Sequence, residues 1–272
     1  MEDIRAELRT GRWSRLRKGV YVVADRLASA DSRERHLIDC VAVLLSLGPG
    51  PVLSHASAAP LPTAAETEPW LQFRAMSVAR TLVDCAREWS LTDGVIAVDA
   101  ALNEKKVTRA DLVETVLSGS HRVGIAQAAR VLGLSDGRAE SPLETRGRLA
   151  ILASGLPRPE LQVEIHDAAG FVGRVDAWYE DAALAIEFDG QVKYTDPRYV
   201  SSPGKVLWEE KRREDAMRAL GVRFVRVVNA DLGVPWPDTA ARIGGLLAAP
   251  YVGPRRFRTV RTDEPGGASH AA

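Results

Sequence analysis

Residues 170–189 constrain the fold of this chain more than any other stretch. Gly170-Phe-Val-Gly-Arg-Val-Asp-Ala-Trp-Tyr179 and Ala183-Leu-Ala-Ile-Glu-Phe-Asp189 both read as strands, and Glu180-Asp-Ala182 between them reads as a turn. An antiparallel hairpin centred on residues 181 and 182 pairs Val175 with Phe188, Ala177 with Ile186 and Tyr179 with Leu184, so one face is core. The other face then sets Asp176 against Glu187 and Arg174 against Asp189, about 4.5–5.5 Å apart. Two carboxylates that close repel unless a cation lies between them. A hard cation of the Mg²⁺ type takes one or two carboxylates and completes its shell with water. Ala183 and Ala185 are small enough to leave room there. An ordinary polar outer face with an Arg174–Asp189 ion pair fits the same pattern.

Around this hairpin the two halves of the chain differ. Residues 1–135 are mostly helical in pattern, with helices expected near 4–9, 32–47, 54–60, 76–88, 93–104 and 108–117, and a strand entered from Trp13 to Val23. Residues 159–229 are mostly strand in pattern. The turn-rich run Ser135-Asp-Gly-Arg-Ala-Glu-Ser-Pro142 marks the boundary, giving a domain over 1–135 and a second over 139–235. Residues 251–272 read as a basic arm, Pro254-Arg-Arg-Phe-Arg-Thr-Val-Arg261, and a disordered tail. The expected class is α/β (α+β).

Charge excludes one class of partner and allows another. Lys plus Arg and Asp plus Glu are both 36, so a histone-like binder is excluded. Residues 1–24 nevertheless hold six basic side chains against three acidic ones. Arg12, Arg15, Arg17 and Lys18, interleaved with Trp13 and Tyr21, suit a nucleic-acid backbone as well as a solvated strand edge. Cys40 and Cys85 have no metal-ligand spacing and read as reduced core thiols. The longest apolar run, Leu37–Leu47, has 11 residues and contains Asp39, against the roughly 20 that a membrane span needs. With charge in Met1–Arg5 in place of a signal peptide, the expectation is a cytoplasmic protein with no membrane partner.

Three features flank the acidic hairpin. Ser141-Pro-Leu-Glu144 opens a helix to about Ser154, a capping box with Pro at the first position; a first-turn carboxylate there can also reach a metal on an adjacent sheet. Lys193, in Gly190-Gln-Val-Lys-Tyr194, stands just beyond the carboxylates, where a lysine orients a phosphate, helps activate a water or is simply solvated. A helix over 207–220 carries seven consecutive charges, Glu209–Asp215. They form either a solvated face with i,i+4 pairs Glu209–Arg213 and Glu214–Arg218, or a cleft wall on which Lys211, Arg212 and Arg213 meet phosphates.

Glu144, Asp176, Glu187-Phe-Asp-Gly-Gln-Val-Lys193 and the run Trp208–Val228 together resemble a domain-of-unknown-function family related to very-short-patch-repair (Vsr-like) endonucleases, within the PD-(D/E)XK superfamily. The resemblance spans about residues 139–235. It implies a restriction-endonuclease-like mixed sheet flanked by helices, and phosphodiester hydrolysis with Mg²⁺ or Mn²⁺. Asp176 and Glu187 would be metal ligands with the Phe188 carbonyl, and Glu144 would assist. The superfamily lysine two residues after the Glu is Asp189 here. Either Asp189 would then join the metal shell, with Lys193 or Lys211 supplying the positive charge, or the site is altered and slow.

Gly11-Arg-Trp-Ser-Arg-Leu-Arg-Lys-Gly-Val-Tyr21 with Ser54-His-Ala-Ser-Ala-Ala-Pro-Leu61 resembles the N-terminal, winged-helix-like domain of AbiEi-type antitoxins, over about residues 1–100 and with a shortened start. The leading expectation is therefore a DNA endonuclease with a DNA-binding first domain. The alternatives are an antitoxin-like transcriptional regulator with a toxin partner, whose nuclease-like half only binds nucleic acid, and a catalytically inactive interaction protein.

Overall fold

The computed structural model describes residues 2–47, 76–190, 203–249 and 251–261. The chain divides into two compact units, residues 1–89 with 110–129, and residues 90–109 with 130–272. The helix expected at 54–60 and the Ser54–Leu61 motif lie outside the described residues.

The first unit starts with α1 (Glu2–Arg9), the hairpin β1 (Trp13–Arg17) and β2 (Val20–Val23), α2 (Ala24–Ser29) and α3 (Ser32–Leu47). The hairpin pairs Trp13 with Val23 and Arg15 with Tyr21, and turns at Gly19, whose φ of +79° is one that glycine adopts without strain. In α4 (Val78–Glu88), the Ser77 hydroxyl accepts the Arg80 N–H, and Leu82, Val83, Cys85 and Ala86 are buried. Cys40 and Cys85 are both buried, and neither is in a disulfide. α6 (Arg109–Ser118) is followed by α7 (Ile125–Leu134), a helix no sequence signal marked. It is anchored from outside itself: Gln127 Nε2 donates to the carbonyls of Ala86 and Trp89 at 3.0 and 2.6 Å.

The second unit is built on a five-stranded mixed sheet in the order β6-β5-β4-β3-β7. β3 (Glu160–Asp167), β4 (Gly170–Tyr179) and β5 (Leu184–Asp189) run antiparallel in turn, and β6 (Arg223–Val228) joins β5 in parallel. α8 (Pro142–Ala153) and α10 (Trp236–Ala248) contribute Leu143, Ile151 and Ile243 to one core, with Leu161, Ala177, Ile186 and Phe188 of the sheet. Met217 of α9 (Pro203–Ala219) packs into the other, with Val163, Val175, Trp178 and Ala185. Both sheet faces are covered, as expected of an α/β fold. Among the described residues, no helix is long and apolar enough to cross a membrane.

Two segments differ from their sequence reading. α5 (Leu91–Asn103) falls in the second unit, beyond the expected boundary near 135. Its Asp99 accepts hydrogen bonds from Arg148 (2.7 Å), Thr145 (2.9 Å) and the Asp136 N–H (2.7 Å), and Arg148 and Asp99 are 0% and 1% exposed. A turn-rich run cannot reveal that a buried charge pair crosses it. The 254–261 arm is likewise not a loose tail. β7 (Arg258–Val260) pairs with β3, Arg255 donates to Glu180 at 2.9 Å, and Arg261 holds Glu160 at 2.7 Å. Its arginines close a sheet edge that already carries Glu160 and Glu180. Residues 262–272 lie outside the described residues.

Candidate functional site

β4 and β5 pair as Ala177↔Ile186, Trp178↔Ala185 and Tyr179↔Leu184, the register centred on residues 181 and 182. The ladder stops one step before Asp176 and Glu187. There the Asp176 carboxylate replaces a backbone acceptor: its Oδ2 accepts the Phe188 N–H at 2.8 Å. Asp176 and Glu187 line one open cleft with Asp189, Arg213, Glu214 and Arg226, over a floor that includes Met217 and Phe224. Oε1 of Glu187 is shielded from solvent.

The expected single apolar face needs correction. Ala177, Tyr179, Leu184, Ile186 and Phe188 share one core, whereas Val175 lies in the other. The switch coincides with Gln162 on the neighbouring β3, whose φ is +54°. Leu161↔Ala177 and Val163↔Val175 bracket this point, and the two pairs belong to different cores. A residue in the left-handed region breaks the period-two alternation. Asp176 sits at this crossover. Ala183 and Ala185 leave no ligand space either: both are fully buried against Met217 and Trp178.

Glu144 stands in the first turn of α8, only 7% exposed. Ser141 Oγ accepts its N–H at 3.2 Å and donates to Oε1 at 2.8 Å, so the N-cap half of the expected capping box forms, while the carboxylate turns to the Ser141 hydroxyl and not to its backbone N–H. Oε2 accepts the Glu140 N–H at 2.9 Å and Gln162 Nε2 at 3.0 Å. Burial, and then the negative charge of Asp176, push the Glu144 carboxyl up to about 7. Glu144 thus acts on Asp176 through the field; it is not among the residues lining the cleft. Gln162, 3% exposed, was not legible as part of the site. Between Leu161 and Val163, it reads as the outward residue of an alternating strand.

The other ion pairs are re-partnered. Arg174 binds Glu140 at 2.7 Å, and Asp189 faces Arg226 at 3.3 Å, so no Arg174–Asp189 pair forms. Among the described residues no three His, Cys, Asp or Glu side chains form a group that could hold a metal ion. Asp189, turned to Arg226, therefore does not complete a three-carboxylate shell. What remains, the Asp176 and Glu187 carboxylates at one cleft, fits a Mg²⁺-type ion that keeps several waters and does not fit an all-protein cage. Lys193 lies outside the described residues. Lys211 and Arg212 are exposed on α9 but do not line the cleft, whereas Arg213 does. Arg12, Arg15, Arg17 and Lys18 are exposed on the β1–β2 hairpin, with Arg12 held by Glu7 at 2.8 Å.

Over 173 residues the chain is 34% identical to two uncharacterized proteins of Mycobacterium tuberculosis, MT2308 of strain CDC 1551 and Rv2248 of strain H37Rv. The alignment covers 64% of this chain and 61% of each relative, so the chain spans about three fifths of the length of the curated relatives it matches. No family model and no solved structure matches the chain.

Proposed function

We propose that the second unit is a divalent-metal-dependent endonuclease hydrolysing phosphodiester bonds in DNA, and that the first unit contacts the DNA backbone through the β1–β2 hairpin. One observation carries this reading: the bond from the Phe188 N–H to Asp176 sets the carboxylates of Asp176 and Glu187 on adjacent strands at one cleft.

A bound Mg²⁺ or Mn²⁺ would neutralise charge on the reacting phosphate and acidify a water. Asp176 and Glu187 would hold it. The Phe188 amide fixes Asp176 Oδ2, and Asp176 lines the cleft. Glu144, with its carboxyl at about 7, takes up or releases a proton near neutrality, and so sets the negative potential at Asp176 without touching the cleft. Gln162 keeps Glu144 oriented through Oε2.

The second reading is an antitoxin-like regulator whose nuclease-like unit only binds nucleic acid, with a toxin as partner. Asp189 favours it, because an acid paired with Arg226 stands where the resembled superfamily carries lysine.

Incubation of the purified protein with plasmid, single-stranded DNA and structured RNA, with Mg²⁺, with Mn²⁺ and with EDTA, separates the two readings. Metal-dependent cutting of DNA that EDTA stops is the expected result. Binding without cutting under every condition overturns the endonuclease reading in favour of the second, and cutting of RNA alone overturns the DNA assignment.

A further inference from the structure

The cleft holds two cations of opposite status. Arg226 is neutralised twice, by Asp189 at 3.3 Å and by Glu214 at 2.7 Å. Arg213, one turn before Met217 on α9, makes no ion pair among the described residues, although it lines a cleft with four carboxylates.

Its stem is held from below. A Cβ at Gly173 would stand 2.9 Å from both Cγ and Cδ of Arg213, and 3.2 Å from Cε of Met217. Gly173 lies within β4, paired with Ile165 of β3. Glycine weakens a strand interior, and one found there marks a close approach by another group. Here that group is the arginine's methylene stem, laid on a residue without a side chain. The side chain lines the cleft from this seat, and its guanidinium makes no ion pair among the described residues. A planar fork of N–H donors matches two oxygens of a phosphate.

We propose that Arg213, seated on Gly173, is the phosphate-binding cation of the cleft and contacts the non-bridging oxygens of a nucleic-acid phosphodiester. The proposal rests on the endonuclease reading of the same cleft, and the experiment keeps the two apart. The carboxylates alone would repel a polyanion; Arg213 gives the phosphate an attractive contact beside them.

The parent protein, Arg213→Ala, Arg213→Lys and Gly173→Ala are compared in two assays, with thermal unfolding followed on the same samples. In the first, binding of a short DNA duplex is measured against salt concentration, with Ca²⁺ replacing Mg²⁺. Losing one phosphate contact should reduce the log–log salt slope of Arg213→Ala by about 0.9. Arg213→Lys keeps the charge and should keep the slope. In the second assay, with Mg²⁺, Arg213→Ala should slow cleavage by about 10- to 100-fold, the range implied by one charge-assisted hydrogen bond lost from the transition state. Gly173→Ala should slow it too, with the charge unchanged, because the stem must leave its slot.

A parental salt slope in Arg213→Ala overturns the proposal whether or not the parent cuts. A reduced slope in a protein that cuts nothing upholds the phosphate contact while the endonuclease reading falls. A folded Gly173→Ala protein that cuts like the parent overturns the seating of Arg213 on Gly173.

Discussion

The β1–β2 and β4–β5 hairpins are built from the same local unit, two antiparallel strands around a tight turn. They differ in what surrounds them. No residue of β1 or β2 is fully buried, and Arg15, Arg17 and Lys18 stand in solvent. In the β4–β5 ladder Ala177, Trp178, Tyr179, Leu184, Ala185 and Ile186 are all buried. A charge on the first hairpin is screened by water and salt. Carboxylates beside the second lie in a poorly solvated sheet, where Glu144 feels both burial and Asp176. Basic side chains thus stand in solvent at one hairpin, whereas acidic ones lie against a buried sheet at the other.

The largest expected break in this contrast is catalytic. Asp176→Ala and Glu187→Ala should abolish metal-dependent cleavage while leaving duplex binding by the first unit in place. Glu187→Gln should do the same, because it keeps the size and removes the charge. A cleavage assay on folded variants decides this, and parental rates would sink the proposed centre.

The second effect belongs to the exposed hairpin. Changing Arg15, Arg17 and Lys18 to Ala together should weaken duplex binding in EDTA and flatten its log–log salt slope by about 2.7, at roughly 0.9 per contact. An unchanged slope, read by fluorescence anisotropy over a salt series, would show that this hairpin does not meet phosphates.

The third effect is on packing. A Cβ on Gly147 of α8 would collide with the ring of Phe188. Gly147→Ala should therefore destabilise the second unit by about 1–3 kcal/mol in denaturant unfolding. It should also disturb Asp176, which is bonded to the Phe188 N–H. No comparable cost is expected for Gly11→Ser on the first unit, where a Cβ meets nothing within 4 Å, beyond the strain of its φ of +72°.

The smallest effect is a pH dependence. The Glu144 carboxyl is raised to about 7 from 4.5, so between these values the folded state binds more protons than the unfolded state. Its contribution to stability is full below about 4.5 and is lost as pH rises through about 7. Glu144→Gln, which never ionises, should gain melting temperature relative to the parent as pH rises from about 5 to about 8. A difference between the two proteins that is constant with pH would contradict the assigned shift.

Much of this was legible because it is local. Alternation located β3 to β6, the Glu180–Ala182 turn set the ladder from Ala177↔Ile186 to Tyr179↔Leu184, and Ser141-Pro-Leu-Glu144 announced the start of α8. The misreadings share a cause. Val175 was assigned to the wrong core: the switch of faces lies beside Gln162, a non-glycine residue with a left-handed φ that no local pattern announces. Arg174 and Asp189 were paired by register, whereas Glu140 and Arg226 reach them from other segments. The arginines of 255–261 read only as a basic arm because the acidic partners of Arg255 and Arg261, Glu180 and Glu160, lie 75 and 101 residues away in sequence.

By itself, the sequence determined strands β3 to β6, the register of the β4–β5 ladder and the presence of acids at 144, 176 and 187. Period, turn chemistry and capping act over a few residues and leave their mark in the order of the chain. Only the tertiary structure decided that Asp176 is locked by the Phe188 amide, that Gln162 and Glu144 meet, that Asp99 and Arg148 bind α5 to α8, and that Arg213 rests on Gly173. Each of these depends on which distant groups share a buried site. Desolvation is a property of that shared space, and no single segment of the chain encodes it.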